Sequence, residues 1–362
     1  MSQDEAIAVF GGMGGGSHGA VCAGARVIAT IDTDPWANSS HRANMPATKE
    51  VEFDLSKLVD KRDSAAEAQA KMLMSVCGVD ASEDWQGTFI FTSPCQGFSK
   101  GGDQNLNDPR NRLVLAMLPL LKIAPLARMI FENVEQFLNE KFARLHSELF
   151  SGIERLRGVQ LDASYLRRYL LNSRDFGLAQ SRQRLIAPIM RRGEEYPSPP
   201  TKTALELRTL NEIRYFRDPD GRYEDLTALE ERLVRSLKPG EDYRQGRERD
   251  WFVRRYGEEN GWHDRCNLLK ISSWDRQAGT QLAVKGTGTS RVEALHPQKR
   301  RFTIGEKLAL QGFPRNWIVL GDYEIASRLA GNAVPPPMMK AAYTQYIRKS
   351  GSRLSAYSRL SR

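Results

Sequence analysis

The sequence has little cysteine. Its 362 residues contain 4, namely Cys22, Cys77, Cys95 and Cys266, widely scattered and with no CxxC pair. A disulfide framework and a zinc site are therefore not expected, and the expectation for bound metal is none. Apolar runs are also short, and none reaches the ~18 residues from which a membrane-spanning helix is built. The opening MSQDEAIAVF is acidic and passes directly into a strand-like run. It lacks the basic start and apolar core of a secretory signal, so the protein is expected to be intracellular and not membrane-bound. No internal repeat is evident. Cys22 and Cys77 read as small buried hydrophobes.

The length suffices for one large domain plus a smaller one, each with a core. A net charge of +9 suits a polyanionic partner. In the first half, short apolar runs alternate with helical patterns: AIAVF, RVIATID, TFIFTS and RMIFENV read as strands. SAAEAQAKMLMSV and RLVLAMLPLLKIA read as helices, and Asp34 and Pro35 begin another. This order predicts an α/β fold with a doubly wound, mostly parallel sheet whose ligands bind at the carboxyl ends of the strands. The strand-like QRLIAPIM precedes a proline-rich linker, YPSPPTKT, and then a polar, arginine-rich stretch with interleaved Trp and Tyr. Trp251, Trp262 and Trp274 read as core residues there. Regular order returns at FTIGEKLALQGFP, and the tail SGSRLSAYSRLSR reads as disordered. The expected division is a discontinuous catalytic domain (1–195 and 302–347), a smaller, irregular recognition domain (196–301) and a basic tail (348–362).

The strand-end loops carry the chemistry. GGMGGGSHG follows a strand and opens a helix, and its glycines permit positive φ and close approach of a ligand to the backbone. Asp32, at the end of the next strand, is placed to accept hydrogen bonds from two ribose hydroxyls. Together they predict a nucleoside-containing cofactor. Cys95 lies in the loop after the third strand, a setting that suits an activated nucleophile. Glu132 lies at the end of the neighbouring strand, where a raised pKa would make it a general acid. Gln180, Arg182 and Arg184 alternate, so an extended chain points all three to one face.

In their order these motifs resemble the cytosine carbon-5 DNA methyltransferase family over nearly the whole chain. The opening motif is matched by Phe10, Gly12, Gly14, Gly15 and Gly19, the ribose acid by Asp32, and the aspartate near the adenine amino group by Asp54. PCQGFS carries Cys95, DPRNRL carries Asp108, Arg110 and Leu113, ENV carries Glu132, and QSRQR carries Gln180, Arg182 and Arg184. Thr303, Glu306 and Gln311 match the join to the recognition domain, and GNAVPP supplies Asn332 for the methionine end of the cofactor. Ala8 and Ala179 stand where the family usually has an acidic residue and a proline.

The resemblance implies S-adenosyl-L-methionine as cofactor and double-stranded DNA as substrate. Cys95 would add to carbon 6 of a flipped-out cytosine, with Glu132, Arg182 and Arg184 completing the catalytic set and Arg182 stabilising charge at the ring carbonyl. Cofactor contacts are expected from Phe10, Gly12, Gly14, Gly15, Asp32 and Thr33. Others are expected from Asp54, Pro94, Leu113, Asn332 and Val334. DNA contacts are expected from Gln96, Ser99, Gln180 and Arg182. The protein is expected to be monomeric, with a restriction nuclease as a possible companion. The alternatives are a tRNA cytosine-5 methyltransferase of the same family and a non-catalytic DNA-binding relative.

Overall fold

The computed structural model describes residues 4–59, 63–80, 82–98, 105–218, 220–260, 269–281 and 293–348. Ser99, Trp262, Cys266 and the tail beyond 348 lie outside the described residues. Seven strands form the main sheet: β1 (Glu5–Val9), β2 (Arg26–Asp32), β3 (Lys49–Glu52), β4 (Thr88–Phe91), β5 (Arg128–Asn133), β6 (Leu170–Asn172) and β7 (Gln183–Ile189). Their order is β3-β2-β1-β4-β5-β7-β6. The first five run parallel, whereas β7 pairs antiparallel with both β5 and β6. The central strands are apolar because both faces are covered: every residue of TFIF and of RMIFEN is buried. The buried polar residues of β5 lie at its ends: Arg128 pairs with Glu194 at the start, and Glu132 and Asn133 stand at the carboxyl end, where they mark the site.

Helices α1 (Gly15–Cys22), α2 (Pro35–Asn44), α3 (Asp63–Val76), α4 (Met117–Ile123), α5 (Ala143–Arg157) and α6 (Ala163–Arg167) occupy the connections between strands. The expected helix over RLVLAMLPLLKIA is divided: Pro109–Ala116 is 3₁₀ and only Met117–Ile123 is α-helical. Pro119 cannot donate to the Leu115 carbonyl, so an α-helical ladder cannot run through it, and proline is tolerated only in a first turn. Cys77 is buried as expected, but Cys22 is exposed. It lies at the outward end of α1, with Sγ 3.6 Å from His18 Nε2.

Between positions 200 and 300 the chain builds α7 (Ala228–Ser236), α8 (Arg249–Asn260) and a parallel pair, β8 (Leu269–Ile271) and β9 (Glu293–Leu295). These elements pack around their own apolar cluster, which includes Leu233, Phe252, Ile271 and Leu295. Arg232 stacks over Trp251 at 3.6 Å, and Trp274 packs against a second cluster containing Ala179, Ala278 and Phe302. The chain then returns to the main body through α9 (Ile304–Leu310), α10 (Tyr323–Asn332) and α11 (Pro336–Tyr343). Thr303 and Glu306 form a capping box at the start of α9. Met338, Met339 and Tyr343 of α11 belong to the main core. Strand order reverses between β1 and β4, so the crevice at their carboxyl ends is the topological switch point of the sheet.

Candidate active site

The loop after β1 forms one wall of that crevice. Phe10 leaves the strand at φ 59°, one of two non-glycine residues with positive φ among those described. Its carbonyl accepts a 2.7 Å bond from Thr92 Oγ1 of the loop after β4, and its ring meets Phe91 edge-on at 5.4 Å. These contacts hold a backbone conformation that would otherwise be strained. Gly14 caps α1 at φ 99°. A Cβ on Gly15 would lie 2.3 Å from the Val334 carbonyl oxygen, so glycine there is what lets residues 333–334 close over the crevice.

Asp32 ends β2, and backbone N–H groups fix its carboxylate. Gly12 donates to Oδ2 at 2.9 Å, and Thr33 and Asp34 donate to Oδ1 at 2.8 and 3.0 Å. Burial pushes this carboxyl above the usual aspartate range, while the three N–H groups pull it down. A hydroxyl donor arriving from the crevice would therefore favour the anion. Asp54 accepts a 2.9 Å bond from Ser56 N–H, which turns its side chain at the end of the β3 segment.

A cavity of ≈ 380 Å³ opens on these residues, within the usual range for small-molecule sites. Phe10, Gly12, Gly15, Asp32, Thr33 and Asp54 line it. Cys95, Gln96, Glu132 and Arg184 line it as well, and the sheet order sets the loops after β4 and β5 apart from those after β2 and β3; Pro94, Leu113, Asn332 and Val334 complete the lining. The parallel register that pairs Phe91 with Phe131 brings the loops carrying Cys95 and Glu132 side by side. Asn133 Nδ2 donates to Ser93 Oγ at 3.0 Å, tying the two loops together.

Arg184 Nε lies 3.2 Å from Glu132 Oε1, and both side chains are almost wholly buried. Burial is the largest influence on Glu132 and raises its carboxyl above the ordinary range, against the pull of Arg184 and Arg182. Burial also raises the Cys95 thiol, which Arg184 draws down and Glu132 pushes up. Burial thus favours the neutral form of both groups, and the arginines beside them favour their ionised forms.

Three expected site residues do not line the cavity. Gly14 shapes the turn without facing it. Arg182 is fully buried, and its guanidinium donates to the carbonyls of Gln281, Gly331 and Ala333 at 3.2, 2.7 and 3.0 Å. It ties the end of α10 and the residue after it to the segment near position 281 and does not line the cavity. Gln180 is fully buried beside Ala278, with which it forms an isolated bridge. Both placements have one cause, because residues 278–281 pack over the QSRQR segment. Arg184, two residues beyond Arg182, is the one that reaches the cavity. The sequence reading also gave no site role to Asn133, Asp34 or Arg328, whose partners come from distant segments. Among the described residues no cluster of metal-ligating side chains occurs, and no helix is long and apolar enough to cross a membrane.

The fold and this cavity are those of an α/β protein with an acid–thiol pair at the carboxyl ends of its strands. The chain belongs to the C-5 cytosine-specific DNA methylase family, whose sequence pattern it matches over residues 5–348. It is 27% identical over 341 residues to the Type II methyltransferase M1.HphI of Haemophilus parahaemolyticus, covering 92% of this chain and 84% of that protein. A DNA modification methyltransferase encoded within an E. coli prophage superposes with a TM-score of 0.63 at 19% identity, over 95% of this chain and 98% of that one. The S. pombe Dnmt2 methyltransferase superposes with a TM-score of 0.52 at 15% identity, over 96% and 99% of the two chains. The two structural likenesses concern the fold.

Proposed function

We propose that this cytosine-5 DNA methyltransferase acts on a base flipped into the Cys95 end of the cavity, with S-adenosyl-L-methionine at the Asp32 end. The observation that carries the reading is that one cavity is lined both by Asp32, at the end of β2, and by Cys95, Glu132 and Arg184, on the β4, β5 and β7 side of the sheet. The donor set fits the cofactor: Asp32 retains acceptor capacity for ribose hydroxyls, and Asp54, Asn332 and the glycine loop offer polar partners beyond it. When bound, S-adenosyl-L-methionine supplies an electrophilic methyl group.

Carbon 5 of cytosine is a weak nucleophile until a group adds at carbon 6. The Cys95 thiolate forms the sulfur–carbon 6 bond while the Glu132 carboxyl gives a hydrogen bond or proton to ring nitrogen 3. Arg184 holds Glu132 in place and opposes negative charge on the ring. Carbon 5 then accepts the methyl group. Loss of its proton to a base, with departure of the Cys95 sulfur, restores the aromatic ring. Such chemistry requires the base to leave the helical stack.

Residues 196–301 form the recognition domain, and residues 1–195 with 302–347 form the catalytic domain. The enzyme works as a monomer inside the cell, and its methylated sites are those that a companion restriction nuclease would otherwise cut. The test is methyl transfer from labelled cofactor to duplex DNA, followed by mapping of the modified bases. Methylation at carbon 5 of cytosine in one short sequence, lost in Cys95→Ser, is the expected result. Transfer to RNA alone would replace this reading with the tRNA one, and no transfer to either polymer would leave a binding protein.

A further inference from the structure

The cavity is rich in charge of both signs. Its acids are Asp32, Asp34, Asp54 and Glu132, and its cations are Arg110, Arg184 and Arg328. Two of those cations are committed: Arg184 pairs with Glu132, and Arg110 grips Asp108 through Nε and Nη2. Arg328 is held differently. It projects from α10 one turn before Asn332, so the two residues share a face of that helix, and both line the cavity. Its Nη1 lies 2.5 Å from Oδ2 of Asp34, the residue that caps the N-terminus of α2. Asp34 Oδ1 meanwhile accepts the N–H groups of Trp36 and Ala37, so the carboxylate is anchored to its own helix. Burial opposes ionisation of Asp34, but the Arg328 bond and those N–H groups outweigh it and hold the carboxyl below its ordinary range. The arrangement is an arginine fixed by one corner of its guanidinium, with its remaining edge available to the cavity.

We infer that Arg328 is the receptor for the α-carboxylate of the amino-acid moiety of the cofactor, and that Asp34 positions it. This rests on the cofactor reading given above. S-adenosyl-L-methionine carries one anionic group, and a carboxylate taken into a cavity bordered by four acidic side chains needs a cationic partner. A planar guanidinium matches a carboxylate with two parallel N–H bonds, which a lysine in the same place would not provide. Asp32 serves the ribose.

Calorimetry with two probes tests this without turnover. S-adenosylhomocysteine contains the amino-acid moiety, and 5′-methylthioadenosine has the same nucleoside without it. In Arg328→Gln, affinity for S-adenosylhomocysteine is expected to fall ~10- to 100-fold, while affinity for 5′-methylthioadenosine stays within about twofold. Asp32→Ala is expected to weaken both probes. An equal loss of both probes in an Arg328→Gln protein whose melting transition is unchanged, or no loss of either, overturns the inference. If that variant does not fold, Arg328→Lys carries the same comparison, with selective loss of S-adenosylhomocysteine supporting the inference and equal loss overturning it. If the unaltered protein binds neither probe, or Asp32→Ala weakens neither, the cofactor reading itself has failed.

Discussion

Glu132 is a carboxyl at the end of a fully buried strand, next to an arginine and a thiol. Burial raises it, so it keeps its proton to higher pH than an exposed glutamate does. Catalysis needs that proton and also needs the Cys95 thiolate. The rate therefore rises with pH as the thiol ionises and falls as the carboxyl deprotonates, and both limbs belong to the coupled pair. Glu132→Gln keeps an N–H donor for ring nitrogen 3 but cannot ionise. Its kcat/KM is expected to drop ~10²- to 10⁴-fold and to lose the alkaline fall, as read from a profile between about pH 5.5 and 9.5. A variant retaining the wild-type alkaline limb would assign that limb to another group. Cys95, Glu132 and Asp32 were legible in the sequence because each stands at or just past an apolar run, and in this fold strand ends converge. That Arg182 and Gln180 do not line the cavity could not be read, because alternation gives a common direction but does not say what lies there. Residues 278–281, roughly a hundred positions away, cover them.

At the scale of elements, the α1–α2 contact depends on a buried histidine. His41 is fully buried on α2, with Nε2 3.0 Å from Ser17 Oγ of α1, and burial lowers its pKa to about 4. The unfolded chain takes up a proton near pH 6.5, whereas the folded chain resists it down to about 4. Below pH 6.5 the unfolded state binds more protons, so stability falls as pH drops. The loss from this one group is about 2 kcal/mol at pH 5. His41→Gln, which can still bond Ser17, is expected to melt with a shallower fall in Tm between about pH 7 and 5. An equally steep fall in the variant would exclude His41 as a source of acid lability. Strands β1, β2, β4, β5 and β7 and the α9 start at FTIGEK could be read from local pattern, since apolar runs and a Thr-to-Glu spacing act within a few residues, whereas the short edge strands β3 and β6 could not. The split at Pro119 was missed because the apolar spacing continues through a backbone that cannot.

For the whole molecule, the segment between the proline-rich linker and α9 packs around its own apolar cluster and meets the catalytic body through a second one. Replacing residues 196–301 with the corresponding segment of a relative of different specificity is expected to change which cytosines are methylated while leaving the chemistry intact. An active chimera that keeps the original site would place sequence choice elsewhere. The existence of this segment was legible from its arginine-rich, weakly periodic composition, but its small parallel sheet was not, because strands of three residues are too short to show a period. The central claim, that Cys95 bonds the target base, is tested most directly with duplex DNA carrying 5-fluorocytosine at the target position. Once sulfur has added and the methyl group has moved, fluorine occupies the place of the departing proton, so the sulfur cannot leave. The account predicts a protein–DNA adduct that survives denaturing electrophoresis, forms only with S-adenosyl-L-methionine, maps to Cys95 by peptide mass and is absent in Cys95→Ser. An adduct at Cys22, Cys77 or Cys266, or full turnover by Cys95→Ser, would contradict it.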